Sequence, residues 1–270
     1  MNLEKLCEEV CQLSKTVGKF IKEQKISIDD IEVKAKNSLV TFVDKTAEKM
    51  IVDRLEALIP ASGFITEEET STKIGEQYNW IIDPLDGTTN FIHSVPCYCV
   101  SIGLRRDNEL ILGVIYEINL DELFYAWEGS KAYLNGKEIH VSTTTKLENS
   151  LVATGFPYSD YEKQKEYMLL FQDLMKSSRG LRRLGSAAVD LAYVACGRYD
   201  AFYEYSLNSW DVAAGTFIVK QAGGVVTDFS GGDKYLFGKE LIACNEIIYK
   251  DFLDKVALYF DNEDTEKLSS

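Results

Sequence analysis

Apolar residues Leu3, Leu6, Cys7, Val10, Leu13, Val17 and Phe20-Ile21 recur mostly at intervals of three and four. This spacing predicts a long amphipathic helix ending near Lys25. Residues 26–43 break the rhythm around the polar run Lys34-Ala35-Lys36-Asn37-Ser38 and read as a loop or hairpin. Asp44 is expected to open a second helix, with Ala47, Met50-Ile51, Leu55 and Leu58 as its stripe and Pro60 as its stop. Gly63-Phe64-Ile65-Thr66 then reads as a short strand delivering Glu67-Glu68-Glu69. Trp80-Ile81-Ile82 reads as the end of a buried strand, and a carboxylate, Asp83, follows at once. Pro84 has no N–H for a ladder, so the chain is expected to turn there, and Asp86-Gly87-Thr88-Thr89 to open a helix.

Farther on, residues 96–104 and 110–116 read as a hairpin and 122–127 as a third strand, with Asn135-Gly136 as a tight turn. The first half is thus an antiparallel meander packed on helices. The second half alternates, with strands expected at 150–155, 181–184, 199–205, 225–229 and 241–244. Helices are expected at 161–176, 185–196, 211–222 and up to about 260. Such a series predicts stacked layers of the mixed α+β or layered α/β class. We expect an N-terminal α+β lobe over 1–145 and a C-terminal α/β lobe over 146–270, closed into one compact unit. The polar tail from Asp261 is expected to fray.

Composition changes this picture little. The 29 Lys plus Arg against 43 Asp plus Glu give a net charge of −14, which argues against a nucleic-acid polymer or an anionic membrane surface as partner. No apolar run approaches the length of a membrane span, and the acidic start lacks a signal-peptide core, so a cytoplasmic protein is expected. Six cysteines with no CxxC pair and only His93 and His140 make zinc or a His-dependent triad poor readings; reduced thiols are expected. Cys97 and Cys99 alternate in a strand-like run, which would set both on one face.

Candidate chemistry lies in the acids. Taken singly, Glu67 to Glu69 read as a solvated turn, Asp83 as a turn-former, and Asp44, Asp86 and Asp211 as helix-start residues. All, however, fall at expected strand ends or helix starts, where side chains converge on clefts, and their apolar flanks would make unpaired charge costly without a cation. Asp83 and Asp86, three residues apart, can converge beside a helix start suited to an anion.

Three motifs, Glu67-Glu68, Asp83-Pro84-Leu85-Asp86-Gly87-Thr88-Thr89 and Trp210-Asp211-Val212-Ala213-Ala214-Gly215, together resemble the inositol monophosphatase family in order and spacing. Leu39-Val40-Thr41 before Asp44, Gly185-Ser186-Ala187-Ala188, and Glu204 seven residues before Asp211 extend the resemblance over about 34–245. The resemblance implies an alternating αβαβα sandwich of the sugar-phosphatase type, a homodimer, and a lithium-sensitive phosphomonoesterase using two or three Mg²⁺ ions. It assigns Glu67, Asp83 and the Leu85 carbonyl to one ion and Asp83, Asp86 and Asp211 to a second. Gly87 and Thr88 would seat the phosphate through their N–H groups. Glu67 and Thr88, with Asp44 behind Thr88, would orient and deprotonate a metal-activated water. Asp86, Ser186, Ala187, Glu204 and Asp211 would contact the hydroxyls of a small phosphorylated polyol or sugar, with inositol monophosphate the first choice. Lys34 matches a loop lysine that approaches the metals. Thr66, Glu69 and Ser38 depart from the common pattern, which bears on substrate choice and lithium response. Alternatives are a related phosphatase for a nucleotide 3′-phosphate, NADP or fructose bisphosphate, and a regulatory protein that binds metal or phosphate without turnover.

Overall fold

A computed structural model describes residues 1–25, 31–35, 38–157 and 160–260, with backbone alone at 31–35 and 38–40. The side chains of Lys34 and Ser38 and the tail from Asp261 lie outside the described residues. The chain begins with α1 (Leu3–Glu23), a hairpin of β1 (Ile31–Ala35) and β2 (Ser38–Thr41), and α2 (Phe42–Leu58). It continues through β3 (Gly63–Thr66), β4 (Tyr78–Asp86), the short α3 (Thr88–Ile92), β5 (Cys99–Arg106), β6 (Glu109–Glu117), β7 (Glu122–Trp127), β8 (Ala132–Leu134) and β9 (Lys137–Ile139). Then come β10 (Leu151–Thr154), α4 (Gln164–Ser177), β11 (Gly180–Arg182), α5 (Ala187–Ala195) and β12 (Ala201–Tyr205). The last elements are α6 (Ser209–Gln221), β13 (Gly224–Thr227), β14 (Glu240–Asn245) and α7 (Tyr249–Phe260).

Among the described residues, β3 to β9 form a seven-stranded sheet in sequence order, antiparallel except for the parallel β3–β4 pair. A five-stranded sheet has the order β11-β10-β12-β14-β13. Side-chain alternation explains how they stack. Val100, Ile102 and Leu104 of β5 face α1 and α2, joining Val10, Val17, Ile51 and Leu55 in one core. Phe202 of β12 and Leu241 and Ala243 of β14 face α5 and α6, whose other side meets Cys99, Ile115 and Phe124 of the larger sheet. Ala201, Tyr203, Ile242 and Cys244, on the opposite face, pack against Leu170 and Leu174 of α4 and Phe252 and Val256 of α7. The order of layers is therefore αβαβα, as the resemblance implies.

Several expectations need correction. Helix α2 begins two residues before Asp44: Thr41 is its N-cap, and Asp44 closes a capping box from the third helical position. Asp211 stands likewise at the third position of α6, boxed with Asn208. Pro84 does not end its strand. Strand β4 runs on to Asp86 through an irregularity, with Asp83 opposite Ser101 and Asp86 opposite Cys99, so three steps on one side match two on the other. An inserted residue leaves one N–H unpaired, and a proline is tolerated there. Asp86 is consequently the last residue of the strand, and Gly87, at φ +98°, caps α3. Cys97 precedes β5, so the shared face expected for Cys97 and Cys99 does not exist. All six cysteines are free thiols, and no helix of the described residues is long and apolar enough to cross a membrane.

The central layer approaches the larger sheet closely. A Cβ on Gly113 would stand 2.6 Å from the Ala214 carbonyl oxygen of α6, a backbone atom that cannot rotate away. Gly113→Ala should therefore lower stability by about 1–3 kcal/mol, the usual cost of overpacking, as read by urea denaturation. An unchanged midpoint would mean that α6 is free to shift.

Candidate active site

Five elements deliver acids to the seam between the two sheets: the ends of β3, β4 and β12 and the first turns of α2 and α6. Asp83 is buried and its Oδ1 accepts the Leu85 N–H at 2.9 Å across the proline. Asp86 Oδ2 accepts from the Ser186 hydroxyl at 2.6 Å and the Ala188 N–H at 2.7 Å, so the first turn of α5 holds it. Ser186 is the N-cap of α5, and Ala187 is the first helical residue. Asp211 Oδ2 accepts the Asn208 N–H at 2.7 Å. Each of these three acids thus commits one oxygen to a backbone N–H.

Asp44 and Thr88 meet directly. The Thr88 hydroxyl lies 2.9 Å from Asp44 Oδ1 and 3.0 Å from the Leu85 carbonyl oxygen, and its single proton serves one of them at a time. The other oxygen of Asp44 accepts from the Thr41 N–H and hydroxyl. Glu67 extends the β3 ladder, its N–H donating to the Ile82 carbonyl. Glu204, near the end of β12, is buried against Gly155, where any side chain would collide with its carboxylate. Asn90, from α3, donates to the carbonyls of Cys97 and Leu184 and ties the phosphate-motif turn to the segment that leads into Ser186.

The electrostatics follow from depth and crowding. Burial, and after it the charges of Glu67, Asp86 and Asp211, raise the Asp83 carboxyl well above the ordinary range. Burial raises Asp86 to about 6, opposed by the Ser186 and Ala188 hydrogen bonds and the Arg183 charge. Asp211 is raised by burial and then by Asp86, and Glu204 by burial and then by Asp190. Glu67, Asp83, Asp86, Asp211 and Glu204 therefore share one field, and Asp44 and Thr88 join it by hydrogen bond. His93 is exposed at the end of α3, outside this group.

Two residues escaped the sequence reading. Glu48 of α2 is fully buried, and its carboxylate accepts from the Glu68 N–H, the Thr70 N–H and the Thr70 hydroxyl, each within 2.8 Å. It anchors the acidic turn that carries Glu67. Its position on the core side of an amphipathic helix was the available signal. Asp190 of α5 is also buried, with Oδ1 unpartnered among the described residues, and burial followed by the Asp86 charge raises its carboxyl.

Whether the donors fit a cation can be judged from their chemistry. Among the described residues no group of three or more His, Cys, Asp or Glu side chains forms a ready-made cation cage. The acids instead bring all-oxygen donors to a shared region and leave coordination positions for water and phosphate. This suits Mg²⁺, which keeps much of its hydration, better than a cation that needs a closed protein shell.

The layered sandwich with an acidic seam defines a class of protein, and sequence and structure agree on which. The chain belongs to the inositol monophosphatase family, whose sequence model matches residues 2–262. It is 39% identical over 228 residues to an inositol-1-monophosphatase of Mesorhizobium japonicum, covering 84% of this chain and 85% of that one. It is 40% identical over 243 residues to the Nus factor SuhB of Escherichia coli, covering 89% and 91%. The solved Thermotoga maritima IMPase superposes with a TM-score of 0.85 at 35% identity, over 97% of this chain and 99% of that one.

Glu48→Ala should remove the anchor of the acidic turn and leave the part-buried Glu68 and Thr70 N–H groups without their acceptor. The expected loss is about 2 kcal/mol or more, against about 1 kcal/mol for Thr70→Val, which deletes one donor only. Equal losses in chemical denaturation would mean that Glu48 is not the anchor.

Proposed function

We propose that the protein is a Mg²⁺-dependent phosphatase that hydrolyses a small polyol or sugar monophosphate, with inositol monophosphate the preferred substrate. The observation that carries this reading is the field shared by Glu67, Asp83, Asp86 and Asp211 beside the Thr88–Asp44 pair. Glu67, Asp83 and the Leu85 carbonyl would hold one ion, and Asp83, Asp86 and Asp211 another. Bound there, the ions would neutralise phosphate and leaving-alkoxide charge and lower the pKa of water. By donating to Asp44, Thr88 keeps its oxygen lone pairs for a hydrogen of the attacking water, and Glu67 takes the proton. Asp44 is a positioning residue, since it acts through Thr88.

The N–H groups of Gly87 and Thr88 would seat the phosphate. Helix α3 has only 5 residues, so individual N–H bonds contribute more there than a helix dipole. A Cβ on Gly87 would stand 3.0 Å from the Cys97 carbonyl oxygen, and its φ of +98° favours glycine, so the turn that presents these N–H groups depends on the missing side chain. Ser186, Ala187 and Glu204, with Asp86 and Asp211, would face the substrate hydroxyls, and a carboxylate as buried as Glu204 favours a partner rich in O–H donors. A homodimer is the assembly we expect.

Two other readings each have one supporting observation. Arg183 acts electrostatically on Asp86, Asp190 and Glu204, which would suit a substrate with a second phosphate, such as a nucleotide or fructose bisphosphate. The name of the Escherichia coli relative denotes a factor, which would suit binding without turnover. A panel of phosphate esters assayed with Mg²⁺ separates all three. We expect fastest release from inositol 1-phosphate and a loss of about 100-fold or more in Asp83→Asn, in keeping with removal of a major electrostatic contributor. Preference for a nucleotide, or binding without release, would replace this reading.

The raised carboxyls also set a pH dependence. An acid with a higher pKa in the folded than in the unfolded state makes stability fall as pH rises between the two values. For Asp86 that window runs from 3.8 to about 6, and Asp83 and Asp211 act with the same sign. The cation-free protein should lose thermal stability from pH 4 to pH 7, and Mg²⁺ should raise the melting temperature more at pH 7.5 than at pH 5. An equal Mg²⁺ shift at both pH values would separate the acids from cation binding.

A further inference from the structure

A cleft of about 580 Å³ opens at the end of the five-stranded sheet where β10 and β12 begin, lined by Arg179, Arg182, Arg198, Asp200 and the hydroxyl residues Ser142 to Thr144. Of the seam acids, Glu204 lies at the other end of β12. Asp200 precedes β12 while Glu204 is near its end, four residues or about 13 Å away along an extended chain.

Its walls are fixed. Asn245 donates to the Ser142 hydroxyl oxygen at 2.9 Å and the Thr144 carbonyl at 3.1 Å. Asp200 Oδ2 accepts the Leu151 N–H at 2.6 Å. Arg198 forms a two-pronged pair with Glu122 and lies 4.5 Å from the centre of the Tyr193 ring. Among the described residues, Arg179 reaches the Asn149 side-chain oxygen, at 3.4 Å, and Arg182 the Leu181 carbonyl, at 2.8 Å. Among the described residues neither has a carboxylate within ion-pair distance. The chain has just seven arginines and a net charge of −14, yet three of the seven line this cleft. Arginines spared from neutralisation in so acidic a chain are suited to a ligand that brings its own negative charge, and the fork of a guanidinium matches two oxygens of a phosphate. Among the described residues no aromatic ring lines the cleft to stack a base, while hydroxyls line one wall.

We propose that this cleft is a second binding site, separate from the acidic seam, for the phosphate group of a small phosphorylated molecule. Arg179 and Arg182 are the anion-binding residues, and Ser142 and Thr144 belong to the wall beside it. Both arginines are exposed, so affinity falls as salt rises.

Inorganic phosphate titrated calorimetrically into the full-length protein in EDTA tests this, because the uncompensated seam acids then repel the anion. Wild type should bind phosphate, and the double variant Arg179→Gln/Arg182→Gln should bind about tenfold more weakly or worse, a factor equivalent to the loss of one charge-assisted contact. Arg179→Lys/Arg182→Lys should bind with intermediate strength, and Asp83→Asn should bind at least as well as wild type. Matching thermal midpoints would confirm that the double variant is folded. Absence of binding to wild type, binding unchanged in the double variant, or binding lost in Asp83→Asn would each overturn the proposal. So would a double variant whose sedimentation differs from wild type while neither protein binds phosphate, since the arginines would then serve a contact between copies.

Discussion

Like charges crowded out of water are the constraint on which the rest of this structure depends. Asp83 and Glu204 are buried, and with Glu67, Asp86 and Asp211 they raise one another's energy when ionised. The fold tolerates this through a repeated device. Asp83 takes the Leu85 N–H, Asp86 the Ala188 N–H and Asp211 the Asn208 N–H, each with one oxygen only. Two of these N–H groups belong to helix starts, where amides lack partners within the helix, so a carboxylate and an orphan donor satisfy each other. The second oxygen of each acid remains available to a cation or a substrate. Asp44 completes the pattern with both oxygens used, one by the start of α2 and one by Thr88.

Such a device works only if the helix starts arrive in register, and the central layer sets that register. Helices α5 and α6 are packed between two sheets, with apolar contacts on both sides. The nearness of Gly113 to Ala214 locks α6 to the larger sheet, and thereby locks Asp211 relative to Asp83. On the outer side, α2 contributes twice. Its first turn presents Asp44 to Thr88, and one turn farther on Glu48 holds the loop that carries Glu67. A rigid scaffold is needed because mutual repulsion would otherwise spread these groups apart.

Much of this was legible in the chain because period is a local property. The strand at Gly63–Thr66 and the strand at Glu122–Trp127 have the expected bounds, and Asn135-Gly136 makes its turn with positive φ at both residues. Errors arose where a local rule met a tertiary one. Proline reads as a strand stop, but pairing with β5 absorbs Pro84 within a bulge, which shifts Asp86 from helix start to strand end. Asp44 and Asp211 were placed at helix starts, but the caps one turn earlier, Thr41 and Asn208, leave them as third-position acids. That difference matters physically, because a third-position acid folds back on its own cap and keeps its second oxygen free to reach outward. Glu48 was missed for a different reason. Its place on the core face of α2 marks it as buried, but its three donors lie 20 and 22 residues away, beyond the reach of a local period.

Charge is segregated along the five-stranded sheet, and its geometry explains why one chain can keep both signs. Strands β10 and β12 run parallel, so their starts gather at one edge and their ends at the other. Gly155 follows the end of β10 and makes room for Glu204, near the end of β12. Leu151 and Asp200, at the starts, frame the arginine cleft. Asp200 and Glu204 stand about 13 Å apart along the extended strand, so the cleft and the buried acid belong to opposite ends of β12. The exception is Arg183, one residue past the end of β11, whose charge reaches Asp86, Asp190 and Glu204 and stands 5.4 Å from the centre of the Phe156 ring. It brings a positive charge to the negative seam. Neighbouring arginines in one short segment thus serve opposite ends of the sheet: Arg182 faces the cleft, and Arg183 acts on the acids.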